Sequence, residues 1–390
     1  MYNASDYIVR GMRFLNNQVR PGKKQLSTLM IYATDLCDSA CKHCLIWAKR
    51  PVNFLPKEKI FEVMQSSCIT KSTSIGLEGG EFLLHPHAMD ILQWFSKHHT
   101  RYDLLSNCLQ PEALIEAVKL HTPRHLYISL DGNPETYLHM RGKDGYYSVI
   151  RVIEELHKIL PVSVMFTLSP YNDFNDLEHV AGVCKRYGID MRVGIYNDIA
   201  FFDTIDKAHS TAIGTQKGTP PLVFKDVKNR DLSTKSRPES YPLNLDKTDF
   251  IQQIPVSVKE FAENYDFMVL YNEWKKGGLK MKCFSILDSL VILPNGDVPI
   301  CQNLDLKIGN IFKSNLDEIF NGPATQKLHQ EYVHNCNQCW LNFHRKYDVI
   351  LYRTFEKYFG RSVTKKVFGY YQWEESATKT YNQVVNPDIA

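Results

Sequence analysis

The chain has 390 residues, of which 44% are hydrophobic, 23% charged and 12% aromatic, the make-up of a folded globular protein rather than a disordered one. A formal net charge of +3 gives no reason to expect a nucleic-acid partner, and no run of about 18 apolar residues is present to span a membrane. The length suffices for one large barrel with an appendage.

Residues 1–26 read as a short helix and a basic linker, Pro21-Gly22-Lys23-Lys24. The start lacks a basic stretch followed by an apolar core, so no signal peptide is expected. The 10 cysteines then point to metal sites in a reducing compartment, the cytoplasm, rather than to disulfides. From residue 28 a strand–helix alternation runs to about residue 196. Apolar runs suited to buried parallel strands lie at 28–34, 73–78, 101–106, 125–131, 162–168 and 190–196. Helical periods lie at 56–67, 86–98, 111–120, 145–159 and 174–187. Pro56 and Pro111 mark two of the helix starts. Val149, Val152, Ile153 and Leu156 share one face of another. Six strands with crossover helices imply a parallel sheet closing into a partial (βα) barrel, with its site at the C-terminal strand ends. The expected fold class is therefore α/β, with a small cysteine-rich β-hairpin/helix domain at the C-terminal side.

The first strand runs into Cys37, Cys41 and Cys44, spaced C-x3-C-x2-C. Three soft thiolates in one loop suit an iron–sulfur cluster or zinc. In the zinc reading His43 completes the ligand set. A four-iron cubane held by three cysteines keeps one iron without a protein ligand, which points to catalysis. Strand two ends in Glu78-Gly79-Gly80-Glu81, where two glycines allow close backbone approach and a carboxylate can accept from an ammonium group. Strand three ends in Ser106-Asn107-Cys108. Strand four ends in Ser129-Leu130-Asp131-Gly132, with Arg141-Gly142 in the next loop. Strand six carries Gly194.

The cysteine spacing strongly resembles the cluster loop of the radical S-adenosylmethionine (SAM) superfamily, and the six-unit partial barrel matches it. That resemblance implies a 4Fe–4S cluster on Cys37, Cys41 and Cys44 whose open iron is chelated by SAM. One electron then splits SAM to methionine and a 5′-deoxyadenosyl radical. Glu81, with Gly79 and Gly80, stands where the family holds the amino group of SAM. Ser129 and Arg141 stand near its ribose and carboxylate, and Gly194 stands where the adenine is flanked. His43 and Asn107 are assigned to the cofactor on the same basis. The family often has Thr-Asn-Gly where this chain has Ser106-Asn107-Cys108. Cys108 replaces the glycine, as a hydrogen donor to a substrate radical if it points into the barrel, or as a small packed residue.

Residues 200–250 are polar and broken by Gly214, Gly218, Pro220, Pro221, Pro238 and Pro242, which suggests a lid or a plain surface loop. A helix follows at 257–275, with a basic end at Lys275, Lys276, Lys280 and Lys282. Cys283, Cys301, Cys336 and Cys339 then form a second constellation. Asn295-Gly296 suits a type I′ hairpin that would bring Cys283 and Cys301 together. Four thiolates suit 4Fe–4S or structural zinc. This segment looks like a twitch domain, the short relative of the SPASM extension, and implies a second 4Fe–4S cluster with all four ligands supplied by protein. The expected domains are 1–26, a barrel at 27–200, an insertion with connecting helix at 201–280, the twitch-like unit at 281–345 and a helical tail at 346–390.

The resemblance implies a radical SAM oxidoreductase that removes two electrons from a sugar or aminocyclitol alcohol, or from a peptide, the auxiliary cluster taking the second electron. A redox-neutral epimerase or isomerase is the alternative, and a non-enzymatic iron–sulfur or zinc protein is a third reading. The partners implied are SAM, a small-molecule or peptide substrate and a flavodoxin- or ferredoxin-type reductant.

Overall fold

The computed structural model describes residues 4–44, 46–49, 51–169, 171–195, 253–259, 261–275, 283, 285–301, 307–333, 340, 358–360, 362–363 and 366. The expected insertion at 201–250, Lys276, Lys280 and Lys282, Cys336 and Cys339, and most of the tail lie outside the described residues.

Seven strands form one parallel sheet: β1 (Thr28–Tyr32), β2 (Ser74–Glu78), β3 (Tyr102–Ser106), β4 (His125–Ser129), β5 (Val162–Leu168), β6 (Asp190–Ile195) and β7 (Ser289–Ile292). Their order is β6-β5-β4-β3-β2-β1-β7. The first six are the expected barrel units. Between them run α2 (Lys57–Val63), α3 (Ala88–His98), α4 (Pro111–Leu120), α5 (Pro134–Arg141), α6 (Tyr146–Leu156) and α7 (Phe174–Tyr187), after an N-terminal α1 (Ala4–Val19).

Strand residues alternate between two unlike faces, as the pleat requires. Leu29, Ile31, Ile75, Leu77, Leu104, Leu126, Ile128, Val164, Phe166, Met191 and Val193 point to the helix layer and form the core with Ile91, Phe95, Leu114, Val152 and Leu177. The opposite, concave face carries Glu78, Asp103, Tyr127, Ser129, Ser163, Thr167, Asp190 and Arg192, which occupy the alternate positions of the same strands. The strands are thus not apolar on both sides, as their sequence runs suggested. The concave face is a polar surface knit by side-chain bonds. His125 Nε2 lies 2.7 Å from Ser163 Oγ, which donates to Asp190 at 2.8 Å, and Arg192 Nε donates to the same carboxylate at 3.3 Å.

The seventh strand comes from the cysteine-rich unit. β7 pairs in parallel with β1, Thr28 opposite Ser289 and Ile31 opposite Ile292. Its start is pinned to the N-terminal segment: Arg10 Nε bridges Asp288 at 3.2 Å and Asn17 Nδ2 donates to Leu287 O at 2.9 Å. The turn after it forms, but not as type I′. Gly296 N–H donates to Leu293 O at 2.8 Å, and Leu293 N–H donates to Asp297 O at 2.9 Å. Gly296 is left-handed with φ 81°, while Asn295 is not among the positive-φ residues. Type I′ needs positive φ at both central residues. Here Pro294 takes the first central position, which its fixed φ suits to a type I turn, and Gly296 closes it as a bulge. Strand β8 (Asp297–Pro299) then pairs antiparallel with β9 (Lys307–Asn310) rather than within the ladder of β7. No described helix is long and apolar enough to cross a membrane.

Candidate active site

The cysteine loop leaves the C-terminal end of β1 and is clasped from two sides. On one side lies the end of β2. Gly80 N–H donates to Thr34 O at 2.7 Å and Glu81 N–H donates to Leu36 O at 2.8 Å. A Cβ on Gly80 would lie 2.2 Å from Leu36 O, and one on Gly79 would lie 2.6 Å from Thr34 O. The glycines expected to let backbone approach a ligand thus let it approach the cysteine loop. On the other side lies the end of α5. Ala40 N–H donates to Arg141 O at 3.0 Å and Lys42 N–H donates to Met140 O at 2.9 Å. Gly142, left-handed at φ 66°, ends the helix where a Cβ would meet Ala40 O at 2.9 Å.

Arg141 is therefore not in a loop, as the sequence reading had it, but in the last turn of α5. Its guanidinium is committed within the protein. Nε donates to Asp131 Oδ2 at 2.7 Å, Nη2 donates to the same oxygen, and Nη1 lies 3.6 Å from Cys41 Sγ. Asp131 is fully buried and also accepts from Thr167 N–H at 2.7 Å. It is the charge partner of Arg141, while Asn133 caps α5 by accepting from the N–H groups of Glu135 and Thr136. Asn172, absent from the sequence reading, ties this end of the sheet together: Nδ2 donates to Asp131 O and to Thr167 O, both at 2.9 Å.

The thiols sit among these groups. Cys37 and Cys44 pack on the concave face against Tyr32, Ile46 and Val291, while Cys41 turns toward Arg141 and toward Ser39 Oγ at 3.0 Å. Asn107 Nδ2 lies 3.8 Å from Cys37 Sγ and donates to Asp38 at 2.8 Å. Burial pushes the Cys37 thiol up to about 12, so its thiolate needs a cationic partner, which an iron held there would supply. Among the described residues no three His, Cys, Asp or Glu side chains converge on one metal ion.

Glu81 lies beside the loop with its carboxylate buried. Oε2 accepts from Asn107 N–H at 2.8 Å and Oε1 from Ser106 Oγ at 3.0 Å. Burial pushes its carboxyl up to about 7 against these two donors. His43 Nδ1 is buried without a hydrogen-bond partner. Burial, with Arg141 nearby, pulls its imidazole down to about 4, so the ring is neutral. An orphaned ring nitrogen, a buried carboxylate and a fixed guanidinium around three thiols suit a cluster with an amino-acid-bearing ligand. Ser129 and Gly194 lie on the concave face, opposite Met165 and Thr167 respectively. Cys108 does not share that placement. It is left-handed at φ 60°, buried in the apolar core, with Sγ 3.9 Å from Ser106 O.

The family model of the radical SAM superfamily matches residues 31–183. The model of the SPASM iron–sulfur cluster-binding domain matches residues 283–340. This chain belongs to the radical SAM superfamily, in its SPASM-bearing branch. It is a radical SAM enzyme, with a SAM-binding 4Fe–4S cluster and further iron–sulfur ligation in the C-terminal unit. No curated protein matches the sequence. Among solved structures, Streptococcus suis SuiB bound to precursor peptide SuiA superposes with a TM-score of 0.53 at 14% identity, over 84% of this chain and 72% of that one. Native anSMEcpe with bound AdoMet gives 0.51 at 14% identity, over 87% and 99% of the two chains. At these identities the likeness is one of fold.

In this radical SAM enzyme the second cysteine set begins just before β7. Cys283 is buried and Cys301 half-buried against the same core. Ser285 Oγ donates to Ile300 O at 2.6 Å, which draws the segment after Cys283 toward the residue before Cys301. Asp317 fixes the unit to the barrel by accepting from the N–H groups of Ser67 and Cys68, both at 2.8 Å.

Proposed function

We propose that this radical SAM enzyme removes two electrons from a substrate carbon, and that Cys283, Cys301, Cys336 and Cys339 hold the cluster that takes the second one. The observation that supports this reading is the pairing of β7 with β1. The strand that leads into the catalytic cysteine loop and the strand that leads toward Cys301 are hydrogen-bonded neighbours. When bound, SAM and its cluster supply the carbon radical that takes a hydrogen atom from the substrate. A cluster held by Cys283, Cys301, Cys336 and Cys339 would supply the acceptor for the second electron, the accompanying proton passing to solvent.

The roles of the surrounding residues follow from their chemistry. Glu81 accepts from the amino group of SAM, and that cation offsets the burial cost of its carboxylate. Arg141 acts as a positive charge fixed by Asp131, beside the carboxylate of SAM, rather than as a free bidentate fork. His43 offers Nδ1 to the cofactor. Asn107 orients Cys37 and the Asp38 turn. Ser129 and Gly194 leave the concave face open toward ribose and adenine.

For the substrate class we favour a peptide over a sugar alcohol. The shared fold with SuiB, a protein that binds the precursor peptide SuiA, supports it, as does a broad polar concave face. The setting we propose is a reducing cytoplasm, with a flavodoxin- or ferredoxin-type donor. Iron content after anaerobic reconstitution tests the oxidative part. The native chain should hold about eight irons and a Cys37/Cys41/Cys44→Ala variant about four. Four in the native chain and none in the variant would remove the acceptor and with it the oxidative reading. Incubation with a peptide and with a sugar alcohol in parallel separates the substrate classes, since only the true substrate becomes lighter by two hydrogens.

A further inference from the structure

Each SAM split to methionine and 5′-deoxyadenosine consumes one electron. The hydrogen on the 5′ carbon comes from the substrate or, without one, from the medium. The electron has to enter from outside the chain, and the structure distinguishes the two sides of the cysteine loop. Cys37 and Cys44 face Tyr32, Val291 and the rest of the concave face, which SAM and substrate take. Cys41 faces the other way, toward α5.

On that side the loop reaches solvent at one residue. Within residues 34–44, Lys42 is the exposed one, and it is joined directly to Cys41. Its Nζ lies 2.9 Å and 3.1 Å from the ring nitrogens of His139 and 5.7 Å from the ring centroid of Tyr171. Leu138 and His139 are exposed on α5, and Lys143 and Asp144 are exposed just beyond its end. Trp47 makes a second connection, its Nε1 donating to Cys41 O at 3.3 Å. The surface thus has cationic and aromatic groups one peptide away from a cluster ligand, with Asp144 as the acid beside them. Lys49 and Asp35, on the inner side of the loop, neutralise each other at 3.1 Å.

We propose that the surface around Lys42, His139, Tyr171 and Lys143 docks a small acidic protein carrying a one-electron centre, which passes its electron to the cluster by way of Cys41. The proposal rests on the reading that Cys41 is a cluster ligand. Electron-transfer encounters are small and transient, so complementary charge sets their rate more than apolar area does. One electron leaves the donor and one enters the cluster, so the step needs no other reactant.

The test uses the reconstituted full-length holoenzyme and follows deoxyadenosine formation with two donors, reduced flavodoxin and photoreduced 5-deazariboflavin. Lys42→Glu/Lys143→Glu should slow the flavodoxin-driven rate by about tenfold at low salt, with the gap narrowing as salt rises. The deazariboflavin-driven rate should stay within about twofold of native, since a small uncharged donor needs no docking surface. Lys327→Glu, on an exposed helix of the C-terminal unit, should change neither rate. An unchanged flavodoxin rate in the double variant overturns the proposal. If the double variant loses both rates, His139→Glu/Lys143→Glu, which leaves the loop intact, decides: a flavodoxin-selective loss supports docking and an unchanged flavodoxin rate refutes it. Failure of the underlying reading looks different, because the native chain would then form no deoxyadenosine with either donor.

Discussion

Gly80→Ala separates two roles for the glycine pair after β2. If the glycine serves the ligand, the variant folds normally and loses SAM. If it serves the cysteine loop, the ligand-free protein is already damaged. The structure favours the second. The new Cβ would lie 2.2 Å from Leu36 O, 2.5 Å from Leu36 C and 2.9 Å from Asp35 O, all backbone atoms. Relief requires the loop to move off the strand end, which breaks the bonds from Gly80 N–H to Thr34 O and from Glu81 N–H to Leu36 O. Two such bonds contribute about 2 kcal/mol together. Overpacking strain adds about 1–3 kcal/mol, so the expected loss is about 3–5 kcal/mol. Against a total of about 5–15 kcal/mol this is large. Anaerobic urea unfolding of the apoprotein measures it, and iron content after reconstitution reports whether the loop still holds a cluster. Gly182→Ala is the control: the residue is exposed on α7 with no atom within 4 Å of its Cβ position, and it should gain about 0.5–1 kcal/mol from helix propensity. A Gly80→Ala apoprotein as stable as native, with SAM binding lost, would refute the reasoning.

Other consequences follow from the same neighbourhood. Asp131→Ala leaves Arg141 buried without its counter-charge and should cost about 3–5 kcal/mol in the same unfolding experiment, whereas Asp131→Leu/Arg141→Met should recover much of that loss. Glu81→Gln should retain iron but weaken SAM binding. Because burial pushes the Glu81 carboxyl up to about 7, the carboxylate proposed to receive the SAM ammonium forms as pH rises through that value. SAM affinity measured by calorimetry should therefore climb between about pH 6 and 8 in native protein and stay flat in the variant. Cys108→Gly places a glycine where φ is 60° and should leave deoxyadenosine formation intact; loss of product alone would restore the thiol as a hydrogen donor.

The barrel was legible in the sequence because each strand places apolar residues on its helix side at every second position. Strand starts agree within one residue where β1, β4, β5 and β6 were expected, and α4 and α7 match the expected bounds. The polar half of each strand was less legible, since Tyr127 and Met165 read as part of an apolar run although they lie on the concave face. The short helix α5 escaped because it is only 8 residues long and carries little apolar periodicity. Its signal was the Asn133-Pro134 pair, a cap followed by a proline at the first helical position. Missing α5 hid the Asp131–Arg141 pair too, since only the returning helix brings residues 10 apart in sequence into contact.

The cysteine-rich unit shows a different limit. Asn295-Gly296 is a strong local turn signal, and a local signal names the turn without naming what the strands beside it pair with. β7 reads Ser-Leu-Val-Ile, a short apolar run that suits a hairpin or a buried parallel strand equally well. Its partner β1 lies some 260 residues earlier in the chain, as the pairing of Thr28 with Ser289 shows. Nothing within the run encodes that distance. What decides it is the open edge of β1: an unpaired parallel strand beside the cysteine loop would leave a row of backbone groups unsatisfied. Covering that edge with β7 also fixes the auxiliary unit to the strand that carries the catalytic loop. If the C-terminal cluster is the electron acceptor proposed above, a change that weakens this pairing, such as Asp288→Ala at the Arg10 bridge, should slow oxidation of substrate more than it slows SAM cleavage.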